Sequence, residues 1–457
     1  MTWLARARPS LSSSSTRIYH TRSYSLAWRS WLPKLPPSLK NAVGQADPEA
    51  TSKVPGARSN TTKSFTEYVK YPEVKYQIGT AFVVSGVIYY IAARKTNQET
   101  LATERLIADP AHSGLPKDVR RANKAQMRQD LIRRGKETFQ YISFVPKLVR
   151  RVFTTLYVLV ADKYLNALEG ERAVYWITGV NCVVWMAWQV PRFRPFMRAH
   201  MTHDPLSGKA YTMLTSMFSH ASFLHLLSNT TALLGLSSVL SVWMAHTHDI
   251  VSRLPQAREM YHFFAFFASA NLFSTLISHH IATRVVFPRI IGQISKNPSA
   301  IYSITPVSRW TSFARTSTGR NNFVGISSTK APASATSVEV EATISQTVPH
   351  ILPSLGSSGA TFAAFMLTAV SYPTLDLPPI SPFGSPAFTV PIIYGVGGLM
   401  MLSYNGILRG WRLFDHAAHL GGAAFGTAYS FHGFRFWDWA RRHVGGEKPT
   451  EKVTKSK

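Results

Sequence analysis

What confines this chain most is a series of almost uncharged apolar runs set between basic and polar segments. The first is Ile78–Ala93 (IGTAFVVSGVIYYIAA), closed by Arg94-Lys95. Beyond a charged stretch come Val174–Val190, Ala221–Ala245, Tyr261–Ala282, Leu355–Tyr372, Val390–Tyr404 and Asp415–Phe431. Extended back to Tyr76, the first run reaches about 27 Å at 1.5 Å per residue, close to the hydrocarbon thickness of a bilayer. A chain in lipid must satisfy its own backbone, and segments of this kind do so as helices. The expected fold is all-α: a polytopic membrane helical bundle of six helices preceded by one extra transmembrane helix.

The charge of the chain sits outside these runs. Fifty Lys and Arg residues stand against 23 Asp and Glu, a formal charge of +27. Such a balance suits nucleic acid, an anionic membrane surface or an import signal. Basic residues confined to arms outside a bundle disfavour nucleic acid and leave the lipid bilayer as the expected partner. Met1–Ala46 has no acidic residue, and Arg6, Arg8, Arg17, Arg22 and Arg29 are scattered among Ser, Leu and Trp. That is the composition of a mitochondrial transit peptide.

The expected organisation follows. Residues 1–75 are a transit peptide and disordered arm, 76–93 the extra helix, and 94–173 a basic linker. Val152–Ala161 in that linker is too short to span and suits a helix lying on the bilayer. Residues 174–432 form the core and 433–457 a basic tail. Within the core, 283–350 is rich in Ser, Thr, Pro and Arg and has no period, so it reads as a flexible insertion. The single cysteine, Cys182, rules out an intramolecular disulfide and any cysteine-based zinc cluster; its apolar setting favours a buried structural thiol.

Polar groups inside or at the ends of apolar runs are costly and tend to be functional. Ser358, in Leu355-Gly356-Ser357-Ser358-Gly359-Ala360, opens the fourth core run. At a helix N-terminus its amide and the helix dipole favour a developing negative charge, and Gly356 and Gly359 let backbone approach a substrate. Ser357 is a chemical rival. His419 lies in an apolar helix and is a candidate base; Gly422 and Gly426 follow it as a small-residue face for tight packing. His225 and Asn229, four apart, share one helix face and could donate to an oxyanion. The structural alternatives are a histidine held by a neighbouring carbonyl and ordinary interhelical hydrogen bonding. Asp415, His416 and His419 could also gather around a metal, but no HExxH occurs, so no metal and no cofactor is expected.

The Ser219-His220…His225…Asn229 segment, the Gly-x-Ser-Gly segment at 356–359 and the His419-Leu420-Gly421-Gly422 segment follow one another along the chain, in or at the ends of the second, fourth and sixth core runs. Together they resemble the rhomboid family of intramembrane serine proteases, in its mitochondrial one-plus-six form, over roughly Glu171–Gly433. The resemblance selects Ser358 over Ser357 and implies a Ser358–His419 dyad without a third carboxylate. It implies an oxyanion hole of His225, Asn229 and the Ser358 amide, and leaves His220 a structural role. Phe362 stands where many members have Tyr, and no Trp-Arg pair occurs in Arg192–Tyr211. The implied location is the mitochondrial inner membrane, as a multi-pass protein. The implied substrates are single-span membrane proteins cut within or beside their transmembrane helix, imported precursors including dynamin-like GTPases. The competing classes are a multi-pass transporter using the same intramembrane His and Asn residues and a catalytically silent rhomboid-like scaffold.

Overall fold

The computed structural model describes residues 71–107, 116–220, 222–252, 254–296, 351–377, 390–411 and 414–445. The expected transit peptide, most of the 283–350 insertion and the end of the basic tail lie outside the described residues. Each apolar run is helical. The main helices among the described residues are α1 (Lys75–Glu104), α2 (Pro116–Tyr141), α3 (Lys147–Asn166), α4 (Glu169–Gln189), α5 (Phe223–Val251), α6 (Met260–Ile281), α7 (Ser358–Ser371), α8 (Ile392–Leu408) and α9 (His416–His443). By length and composition α1, α5 and α6 with its continuation to Lys296 are long and apolar enough to cross a membrane; α7 and α8 are shorter apolar helices.

Several boundaries differ from the sequence expectation. α1 continues through Arg94-Lys95 to Glu104, because Asn97, Thr100 and Thr103 are buried and bonded rather than solvated. A π turn at Ala282–Val286 and a helix at Phe287–Lys296 carry α6 into the segment expected to be a loop. α9 runs twelve residues past Phe431, since Trp437, Ala440 and Arg441 pack inward. α8 is preceded by a two-residue strand, Val390–Pro391, antiparallel to Asp376–Leu377. Cys182 is half-buried, not buried, because α4 packs on α5 by one face only.

The bundle is built around α7. Ala360, Ala363, Ala364 and Leu367 of this helix are completely buried. At only 14 residues, α7 is about 21 Å long, shorter than a bilayer core, and Ser357, Gly359 and Ala360 around half-buried Ser358 are buried. α9 crosses it with Gly422 against the Gly359 carbonyl and Gly426 against the Ala363 carbonyl; a Cβ on either glycine would overlap those oxygens. The start of α7, the start of α5, the end of α6 and the start of α9 meet at one end of the bundle, as the contacts below define. At the other end α1 joins α9 through Asn97 and Arg441, and α4 meets α5 where the Gly170 amide donates to Ser241 Oγ over 2.7 Å. Burial, with Glu169 nearby, pushes the Glu259 carboxyl at this end up to about 7.

Candidate functional site

Ser358 is the first residue of α7, and the turn that delivers it depends on Gly356. That glycine has φ +109°, in the left-handed region, and its amide donates to the Ser216 carbonyl over 2.9 Å. The His225 ring lies directly over it: a Cβ on Gly356 would sit 2.7 Å from His225 Cε1 and 2.9 Å from Nε2. The glycine is thus required twice, by its dihedral angle and by the imidazole against it. Upstream, Ser354 forms an antiparallel bridge with His203, with N–H to O distances of 2.8 and 2.9 Å. The chain therefore enters the site tied to the loop before α5.

His419 lies one turn into α9 and is buried. Its Nε2 is 3.1 Å from Ser358 Oγ, a hydrogen-bond distance between side chains 61 residues apart in sequence. Phe362, one turn after Ser358, is stacked on the imidazole with centroids 3.9 Å apart and planes at 8°. The close crossing of α7 and α9 makes this pairing possible, since it brings the two backbones together at Gly359 and Gly422. Ser274 of α6 fills the adjoining space, donating to the Ala418 carbonyl over 2.7 Å; a Cβ on Gly359 would overlap its hydroxyl.

The first-turn amides of α7 lack intrahelical acceptors and carry the positive end of the helix dipole, so the space beside Ser358 Oγ suits an oxyanion. His225 borders it. Asn229 is placed differently from the expectation of a free donor: its Nδ2 donates to the His225 carbonyl over 2.9 Å, and its Oδ1 lies 3.5 Å from the Thr361 hydroxyl. It joins α5 to α7 in this state, with its amide turned onto its own helix.

Three further side chains pack around the site. The Asp415 carboxylate caps α9 by accepting from the Ala418 amide over 3.0 Å. It also accepts from Ser278 of α6 over 2.8 Å and from Ser354 over 2.6 Å. One side chain thereby ties the helix bearing His419, the strand leading to Ser358 and the end of α6. An Asp three residues before a helical amide is a readable cap, but its serine partners come from distant sequence. His416 packs against Gly406 of α8, 6.2 Å from the His419 ring. Among the described residues no cluster of three or more His, Cys, Asp or Glu side chains is arranged to hold a metal. His220 is fully buried, 3.4 Å from Ser357 Oγ and edge-on to His225 at 5.0 Å. Burial, reinforced by His225, pushes its imidazole down to about 3, so it is neutral at ordinary pH.

A serine at a buried helix start facing an imidazole on a crossing helix, inside an all-α membrane bundle, defines a narrow class. A rhomboid domain matches residues 325–436, a span containing both side chains. It is similar to presenilin-associated rhomboid-like protein A, mitochondrial, of Danio rerio, at 27% identity over 289 residues, 63% of this chain and 54% of that protein. The presenilin-associated rhomboid-like proteins, mitochondrial, of Mus musculus and Homo sapiens are each 26% identical over 274 residues, 60% of this chain and 52% and 51% of theirs. The chain thus spans about half the length of the curated relatives it matches. These relatives and the apolar helices of the bundle support a mitochondrial membrane protein. No solved structure matches it.

Proposed function

We propose that the chain is an intramembrane serine endopeptidase of the mitochondrial inner membrane, acting through Ser358 and His419. The observation that carries this reading is the 3.1 Å contact between Ser358 Oγ and His419 Nε2 at the N-terminus of α7. In the proposed reaction neutral His419 takes the Ser358 proton at Nε2 while Oγ attacks the scissile carbonyl carbon. The resulting oxyanion is held by the Ser358 amide and the His225 ring. Asn229 joins them if substrate binding turns its amide away from the His225 carbonyl. His419 then returns the proton to the leaving amine, and the scissile C–N bond breaks. In the second half His419 deprotonates water, which hydrolyses the acyl-enzyme and regenerates Ser358.

The substrates proposed are single-span membrane proteins cut in or beside a helix that unwinds readily, imported precursors among them. A site at the start of a helix shorter than the bilayer favours a segment already extended at that depth. Cleavage of a transmembrane substrate in proteoliposomes tests the reading. Wild-type protein should cut, and Ser358→Ala and His419→Ala should each lose activity by a factor of about a thousand or more. Equal cutting by Ser358→Ala would refute it, and a bound but uncut substrate with all three proteins would point to a scaffold.

A further inference from the structure

We propose that α3 is a docking helix for an anionic bilayer surface, seated at the end of the bundle opposite Ser358. α3 has no buried residue. Leu148, Val152, Phe153, Leu156, Leu159 and Val160 recur at spacings of three and four and form one exposed apolar face. At the edge of that face Tyr157, four residues after Phe153, packs on α2: its ring lies against Gly135 and Phe139, and its hydroxyl donates to the Leu131 carbonyl over 2.7 Å. α2 therefore covers one flank of α3, and the six apolar side chains stay exposed.

The hairpin is fixed at both ends. Where α3 turns into α4, buried Arg172 donates to the carbonyls of Tyr164 and Leu165, each over 2.8 Å, and pairs with Glu169. Where α2 meets the bundle, Arg120 binds both oxygens of Asp249 at 3.0 and 2.6 Å and lies 3.5 Å from Glu259. A face held this rigidly beside the first turn of a membrane helix cannot swing round to bury itself on the core. It must meet lipid or water, and six large apolar side chains favour lipid.

Charge selects the kind of lipid. Residues 116–166 carry twelve Lys and Arg against four Asp and Glu. On α3 itself Arg150 and Arg151 lie on the two flanks of the apolar face. Their long stems can run along the acyl boundary with the guanidinium at the phosphates. Each such cation contributes about 1 kcal/mol near an anionic surface, about fivefold in the ratio of docked to undocked helix at low salt.

The single native cysteine makes the test direct. In the full chain bearing Cys182→Ser, an environment-sensitive fluorophore is placed at Val152→Cys or, as control, at Asp162→Cys. The protein is reconstituted in phosphatidylcholine vesicles with or without phosphatidylglycerol. Expected is quenching at position 152 by spin-labelled lipid in the anionic vesicles, little quenching at 162, and a drop of about 25-fold in the docked ratio with Arg150→Gln and Arg151→Gln together. Iodide quenching at 152 in both vesicle types would overturn the proposal and would fit a soluble protein partner instead. Equal lipid quenching with and without phosphatidylglycerol would overturn its anionic component. The readout does not depend on catalysis, so it stands or falls apart from the protease reading.

Discussion

The Ser358 hydroxyl can reach His419 only if the imidazole keeps one orientation, and Phe362 is the side chain that sets it. Their parallel stacking at 3.9 Å should be worth about 0.5–1.5 kcal/mol beyond area burial. Phe362→Ala is therefore expected to lower kcat by about 2- to 10-fold while leaving the melting temperature nearly unchanged; Phe362→Tyr should restore the rate. A loss confined to KM would contradict a positioning role. At this scale the sequence was informative about the two side chains that meet at the start of α7, because an isolated Ser or His in an apolar run stands out. Of their supports it showed Phe362, one turn after Ser358, and little else. Asp415 gathers Ser278, Ser354 and its own helix amide, and no local pattern links three polar residues that far apart. Asn229 shows the same limit from the other side: spacing placed it on the face of His225, but only the folded geometry shows its amide turned back onto the His225 carbonyl.

Among the elements, the crossing of α7 and α9 decides whether there is a site at all. Gly422 and Gly426 rest on the carbonyls of Gly359 and Ala363 with no room for a methyl. Gly422→Ala should push the helices apart, costing about 1–3 kcal/mol as overpacking does, and should also lower activity by lengthening the Ser358–His419 contact. Thermal unfolding in detergent alongside cleavage assays checks both; a variant that melts and cuts like wild type would contradict the packing. The helices themselves were legible from hydropathy, and the small-residue face of α9 from its spacing. Their ends were not. Apolar runs mark where lipid lies, whereas α1 and α9 continue through charged sequence because Asn97, Trp437 and Arg441 find buried partners. The Cys182 expectation failed for a related reason, since an apolar run on an outer helix has one face in the protein and one in lipid.

Taken whole, the molecule is a six-helix core onto which α1 is fastened at several depths. Tyr89 of α1 donates to the Tyr429 hydroxyl over 3.1 Å. Lower down, Asn97 Nδ2 donates to the Arg441 carbonyl over 2.8 Å and its Oδ1 accepts from Arg441 Nε over 2.9 Å. Asn97→Ala leaves buried polar groups without partners, at a cost of about 1–3 kcal/mol, and is expected to lower one shared unfolding transition. A label on α1 and the core tryptophans should report the same midpoint; α1 releasing first with the core unchanged would contradict this. The order of helices could be read from the chain, but not the docking of α1 on α9, which depends on pairings more than 300 residues apart.

The central claim is that Ser358, and no other hydroxyl, is made nucleophilic by His419. A fluorophosphonate probe followed by peptide mass mapping measures this in the membrane-reconstituted protein. The account predicts one adduct, on Ser358, absent from Ser358→Ala and strongly slowed in His419→Ala. An adduct on Ser357 with His220 in place of His419, or no adduct in active protein, would contradict it.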